Sequence, residues 1–177
     1  ASDAQQSLGA SETVFGKYAD RVVSDSKRAA REVGLSANAY CENANLIGSL
    51  FKNQGVGADQ LAGKTKTMIK TASDLAATFG GPTSSAVEAL GSAFKGEFDP
   101  LEKYGISIKQ SAINAYLAAK GQDKLKGAAL KQAQQQATTA LIMKQSKDSL
   151  GAFGRESNTL AHQQQVGNDL VTPRPEW

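Results

Sequence analysis

Apolar residues recur at helical spacing along most of the chain, and this periodicity limits the folds that the chain can adopt. A recurrence of seven residues places side chains on one face of an α-helix. Within residues 3–33 such a face is formed by Leu8, Phe15, Val22 and Ala29. No stretch of convincing length alternates as a β-strand does, although Ile106 and Ile108 allow a short extended piece. The sequence therefore predicts an all-α fold.

The same periodicity divides the chain into about six helices. They are 3–33, 37–53, one that begins near Asp59, a short one through Val87, Leu90 and Phe94, then 107–120 and 122–149. We expect the long first and last helices to lie antiparallel, as an elongated hairpin or bundle with the middle helices beside them. We assign residues 1–166 to one helical core segment and 167–177 to an extended or disordered tail, because TPRP at 172–175 cannot lie inside a helix.

Several residues mark where these helices begin and end. Gly34 suits the C-terminal cap of the first helix, and Ser36 suits the N-terminal cap of the second. Either Thr83 or Ser84 can cap the short helix after the glycine-rich turn at 79–85. These positions predict well-defined ends for the helices that they flank.

Alanine supplies much of the 40% apolar content, and aromatic residues make up only 6%. Because alanine buries little area, we expect a thin or elongated shape and narrow contacts of the coiled-coil type. The stripe that best shows this is Leu125, Ala129, Ala133, Ala137 and Leu141. Helices with such narrow stripes depend on neighbouring helices for their stability. The sequence therefore predicts self-association or low stability of the isolated chain.

Charge and composition argue against several classes of function. Twenty basic and 17 acidic residues give a net charge of +3, which falls short of the clustered basic face of a nucleic-acid-binding domain. No apolar run is long enough for a membrane helix. The chain opens without a signal peptide or an initiator Met, so we expect a fragment or a processed protein. A single cysteine and a single histidine make a metal site or a catalytic triad unfavourable, and we expect no cofactor.

The densest group of carboxylates lies in FKGEFDPLEKYGI, residues 94–106. Asp99, Pro100 and Glu102 have the spacing of a capping box, with proline at the first helical position. Gly105 then suits a C-terminal cap. We predict a structural turn motif made of Gly96, Asp99, Pro100, Glu102 and Gly105, and no catalytic residue. On this interpretation Asp99→Ala costs about 1 kcal/mol of stability.

Other polar residues have simple structural interpretations. Cys41 is expected to be a buried small apolar residue, and His162 a surface or interface residue. Lys64 with Thr65 resembles the end of a phosphate-binding loop, but Ala58 stands where that motif needs glycine. Lys64, Lys66 and Lys70 predict a solvated face. The glutamines at 132, 134–136 and 163–165 predict an exposed helix face.

Three ordered segments together resemble a known family. They are DLAATFGG (74–81), SAVEALGSAFKGEFDPLEKYGISI (85–108) and QQATTALIMKQSKDSLGAFGRESNTLAHQQQV (135–166). The middle segment carries the matches Ala93, Phe94, Gly96, Glu97, Pro100, Leu101, Tyr104, Gly105 and Ile106. The chain resembles the core region of phage tail tape-measure proteins, also called phage-related minor tail proteins, over about residues 8–166. Lys147, Ser149 and His162 depart from the family's pattern.

The resemblance implies a long, mostly helical structural protein of the virion. Such proteins occupy the lumen of the tail tube, and tail length scales with their own length. Their implied partners are the tail tube protein and the tail assembly chaperones, in the bacterial cytoplasm of a host or a prophage-bearing cell during assembly. Two alternatives stay open: a helical adaptor module that binds another protein of a tail-like machine, and part of a peptidoglycan hydrolase, which would need a catalytic glutamate such as Glu97.

Overall fold

A computed structural model of the protein describes residues 3–159. Its α-helices are α1 (Asp3–Phe15), α2 (Ala19–Ser26), α3 (Ala29–Val33), α4 (Ala37–Asn53), α5 (Ala58–Phe79), α6 (Thr83–Phe94), α7 (Gln110–Ala119), α8 (Gly127–Gln145) and α9 (152–159). Short 3₁₀ helices are formed by Gly16–Tyr18, Asp99–Tyr104 and Lys147–Ser149. No strand occurs among these residues, so the prediction of an all-α fold is confirmed.

The predicted single helix over residues 3–33 is wrong, because the chain turns twice within it. The first turn follows Phe15, where Gly16 has φ +58°, a conformation that other residues rarely adopt. The second separates α2 from α3 at 27–28. Phe15, Val22 and Ala29 are nevertheless all buried, as their spacing predicted. The two turns change the direction of the chain and still leave all three side chains in one core.

The centre of the molecule is α5, which at 22 residues is the longest of the described helices that begin and end within 3–159. Helices α4 and α6 pack along α5, and α1 packs mainly against α4. Helix α8 packs against α7 and α6 instead. The expected hairpin of the first and last helices is therefore absent, since these helices have different neighbours.

A single hydrophobic core is shared by α1–α8, in place of the thin contacts that the alanine content suggested. Large side chains fill it, among them Phe15, Ile47, Ile69, Leu90 and Ile142. The rings of Phe51 and Phe94 meet at 5.4 Å between their centroids. The alanines lie between these side chains and let the helices approach closely. On α8 the buried face is Ala133, Ala137, Thr138 and Ile142, whereas Leu125 precedes the helix and is exposed.

The helix boundaries confirm two of the predicted caps. Gly34 ends α3 with φ +72°, and the Ser36 hydroxyl accepts a hydrogen bond from the Ala39 N–H at 3.1 Å. The prediction for Thr83 or Ser84 is wrong, because α6 starts after Pro82 without a side-chain cap. The Thr83 hydroxyl instead donates to the Val33 carbonyl at 2.7 Å and ties α6 to the end of α3. None of the described helices is long and apolar enough to span a membrane.

Candidate functional site

The corner between α6 and α7 contains the carboxylate-rich stretch. Glycines with positive φ stand at both ends of it, Gly96 at +91° and Gly105 at +72°. Between them Asp99–Tyr104 forms a 3₁₀ helix with Pro100 in its first turn. The side chains of Leu101 and Tyr104 point into the core. The turn is thus held by backbone conformation at its ends and by apolar burial in its middle.

The capping box expected at Asp99 and Glu102 is not formed. The residue before the 3₁₀ helix is Phe98, and no side chain caps it. The Leu101 N–H donates to the Phe98 carbonyl at 3.0 Å, so a backbone bond closes the first turn. Asp99 and Glu102 are exposed. A 3₁₀ turn satisfies with i→i+3 backbone bonds the donors that an α-helix leaves for a cap, so this turn needs no side-chain cap.

The carboxylate of Asp74 binds backbone N–H groups at the start of α9. Asp74 lies on α5 with 1% of its surface exposed. Its carboxylate accepts the Gly151 N–H at 2.9 Å and the Phe153 N–H at 3.1 Å. These are donors that the first turn of a helix leaves unpaired. Asp74 therefore caps a helix that follows it by more than 70 residues.

Two contacts between an aromatic ring and a glycine accompany these hydrogen bonds. The ring of Phe79, at the end of α5, stands over Gly105, where an added Cβ would lie 2.7 Å from Phe79 Cζ. The ring of Phe153 stands over Gly34 in the same way, with Cε2 at 3.0 Å. We name the contacts of Asp74, Phe79, Gly105, Gly151 and Phe153 the α5 junction. It joins parts of all three segments that carry the family resemblance.

The glutamines of α8 form the predicted exposed face only in part, because Gln132 and Gln136 are exposed whereas Gln134 and Gln135 are half-buried. The glutamines at 163–165 lie outside the described residues. Gln135 donates to the Phe94 carbonyl at 3.3 Å, and Gln136 donates to the Gln54 carbonyl at 3.2 Å. Gln145 both donates to the Ser107 carbonyl and accepts from the Ser107 N–H, each at 2.8 Å. These side chains satisfy backbone groups in turns that have no helical partner. They bind α8 to the rest of the fold.

A charged cluster joins the α2–α3 turn to α5. Arg28 pairs with Asp25 at 2.9 Å and with Glu32 at 3.2 Å. Lys66 approaches the same Asp25 oxygen at 3.5 Å. The solvated face predicted for Lys64, Lys66 and Lys70 is therefore wrong for Lys66, which is an ion-pair partner.

Tyr40 and Cys41 lie beside this cluster in the core. Burial raises the pKa of the Tyr40 hydroxyl, and the negative charge of Asp25 adds to the increase. Cys41 is a free, buried cysteine, as predicted. His162 lies outside the described residues, as do residues 167–177. Nothing in this part of the core brings a nucleophile and a base together.

Two clefts open on the surface next to α8. The larger, about 570 Å³, lies between the Gln54–Gly57 turn, α5 and α8, and has an apolar floor that includes Phe51, Met68 and Met143. The smaller, about 400 Å³, lies between the corner, α4 and α8. We name the smaller one the lysine cleft, because Lys95 and Lys131 line it.

Within residues 3–159 no group of three His, Cys, Asp or Glu side chains could hold a metal ion. The residues that sequence reasoning missed are Asp74, Gln54 and Gln145. Asp74 carried a signal, since it is a charged residue between Ala72, Leu75 and Ala76 on the apolar face of α5. A charge at such a position needs a partner.

Comparison with known proteins gives no relative: no family model, no curated protein and no solved structure matches this chain.

Proposed function

We propose that this chain is a non-enzymatic structural segment of a phage tail tape-measure protein and helps to set tail length and assemble the tail tube. The observation that carries the proposal is the α5 junction. Asp74 binds Gly151 and Phe153, and Phe79 packs on Gly105. The sequence segments that resemble the family thus supply contacts that hold distant parts of this fold together.

The partners and the location follow from the same proposal. The chain would assemble with the tail tube protein and tail assembly chaperones, and with further copies of itself. It would do so in the bacterial cytoplasm of a host or prophage-bearing cell, and would then reside in the lumen of the virion tail. These partners would meet the outer faces of the helices, because the inner faces are already buried in one core.

Folding changes how such a segment can contribute length. As one continuous helix, residues 3–159 would span roughly 235 Å at about 1.5 Å per residue. In the fold, α5 with its 22 residues spans only about 33 Å. A ruler that keeps this fold therefore gains much less tube length per residue than an extended one.

The test is an in-frame deletion of residues 3–159 from the full-length phage protein, with tail length measured by electron microscopy. We expect shorter tails, by an amount near one domain diameter (roughly 40 Å) if the segment stays folded and by roughly 235 Å if it is extended. The matched control is Asp74→Ala, which weakens the fold without changing the number of residues. Tails of unchanged length after the deletion would overturn the proposal.

The lysine cleft favours a second candidate, a helical adaptor module that binds another protein of a tail-like machine. This candidate predicts a defined one-to-one complex and tails of unchanged length after the deletion. Size-exclusion chromatography with light scattering on lysates of infected cells distinguishes the two.

A further inference from the structure

We propose that the lysine cleft binds an acidic peptide segment that carries an apolar anchor residue. The cleft has a volume of about 400 Å³, which lies within the range of ligand-binding pockets. The corner and α8 form two of its walls, with Lys95 on the first and Lys131 on the second. This inference does not depend on the tail function.

The charge of the cleft selects an anionic ligand. No acidic side chain is among the described residues that line it. Both lysines are exposed, and the ion pairs within residues 3–159 all belong to the Asp25 cluster, so neither lysine is neutralised there. An ammonium group on a flexible stem can follow a carboxylate on a ligand of varied shape.

The amides of the cleft favour a peptide over a phosphate. Asn53, Gln110 and Gln134 line it, and each amide offers both donors and an acceptor. A peptide backbone also presents both kinds of group at every residue except proline, whereas a phosphate monoester dianion only accepts hydrogen bonds. A peptide, which has an N–H and a carbonyl at nearly every residue, can therefore pair with both the donors and the acceptors of these three amides.

The floor of the cleft provides the place for the anchor. Phe94 and Ile113 are buried beneath it, and Phe98 and Leu50 stand half-buried at its sides. Gln135 is held against the Phe94 carbonyl at 3.3 Å, so this wall is formed without a ligand. A peptide with one leucine-sized side chain on the floor and a carboxylate on either side would contact the floor, the amides and the two lysines.

The experiment measures fluorescence polarisation of a fluorescein-labelled peptide, Gly-Glu-Asp-Leu-Asp-Glu-Gly, with the purified chain. We expect the double variant Lys95→Glu with Lys131→Glu to weaken binding by at least about tenfold. The matched control is Lys120→Glu with Lys124→Glu, which makes the same charge change at exposed lysines outside the cleft and should change affinity by less than about twofold. A peptide with serine in place of leucine should also bind more weakly.

Several results would overturn the proposal. They are no binding at about 1 mM protein, equal weakening by the two double variants, and displacement of the peptide by millimolar inorganic phosphate. Amide chemical shifts give an independent measurement, because peptide binding should perturb Asn53, Phe98 and Gln134. Perturbations confined to other surfaces would contradict the assignment even if the peptide binds.

Discussion

At the scale of the residue, the side chains that matter most are polar groups whose partners are far away in the sequence. Asp74 is separated by 77 and 79 residues from Gly151 and Phe153, whose N–H groups donate hydrogen bonds to its carboxylate. Gln136 is separated by 82 residues from the carbonyl to which it donates. A buried polar group without its partner is costly, so each such pair makes one arrangement of the helices more favourable than the alternatives.

Alanine substitution of Asp74 and of Asp99 tests whether polar partners that are distant in the sequence stabilise the fold. Asp74→Ala should lower the free energy of unfolding by about 1–3 kcal/mol, because it leaves the Gly151 and Phe153 N–H groups without their acceptor. Asp99→Ala is the matched control and should be close to neutral, in place of the roughly 1 kcal/mol expected from a cap. Urea denaturation of the two variants measures both values. An equal loss in the two would restore the capping interpretation.

Tyr40 predicts a dependence of stability on alkaline pH. Burial raises the pKa of its hydroxyl, so the folded chain keeps a proton that the unfolded chain releases near pH 10. The folded state then binds more protons, and stability falls as the pH rises above about 10. Tyr40→Phe should therefore lose less stability than the parent between about pH 9 and pH 11 in urea titrations.

The control for this measurement is Tyr116→Phe, which removes a phenol from a half-buried position on α7. The general effects of alkali on lysines and on the other tyrosines stay in both variants. If Tyr40→Phe and the parent lost equal stability over this interval, the hydroxyl of Tyr40 would not be the group responsible.

At the scale of the element, helices approach closely where glycine faces a ring. An added Cβ on Gly48 of α4 would lie 2.5 Å from Phe15 Cζ at the end of α1. Gly48 is itself buried. The contact between α1 and α4 therefore depends on the missing side chain, since Phe15 is part of the core and cannot move away without leaving a gap.

Alanine substitution of two glycines tests the approach of these helices. Gly48→Ala should destabilise the protein by about 1–3 kcal/mol through overpacking against Phe15. Gly9→Ala on α1 is the control, because nothing lies within 4 Å of its added Cβ. That control should stabilise by up to about 1 kcal/mol, since alanine is the better helix former. Thermal melting that ranked the two variants in the opposite order would contradict this packing.

At the scale of the whole molecule, one core unites α1–α8, and this changes the expectation of low stability. On α8 the side chains of Ala133 and Ala137 are buried within the same chain, whereas Leu125 and Ala129 of the predicted stripe are exposed. The two buried alanines therefore do not need a second copy to cover them. Self-association stays a proposal about assembly, separate from the stability of the isolated chain.

We therefore expect one cooperative unfolding transition in urea, with a midpoint that does not depend on protein concentration. Circular dichroism across about a hundredfold range of concentration measures it. A midpoint that rises with concentration would show that association contributes to stability. Two separate transitions would show that α7 and α8 unfold apart from the α4–α6 centre.

The candidate site was predicted only in part. The corner was located from its turn residues, and its glycines have the expected role, but its carboxylates do not. The α5 junction and the lysine cleft were not predicted, because the residues that meet there come from distant parts of the chain. The charge of Asp74 on an apolar helix face indicated that it needs a partner, but no local pattern identified Gly151 and Phe153 as that partner.

The linear sequence was sufficient to predict the all-α class, the bounds of α4 and the caps at Gly34 and Ser36. These features depend on residues three or four positions apart, and such spacing is visible in a linear pattern. Packing of the whole chain was needed to establish the two turns within residues 3–33, the central place of α5 and the partners of Asp74 and the α8 glutamines. Those outcomes depend on which distant side chains share the core and which backbone groups remain unpaired, and both are settled only when the helices pack.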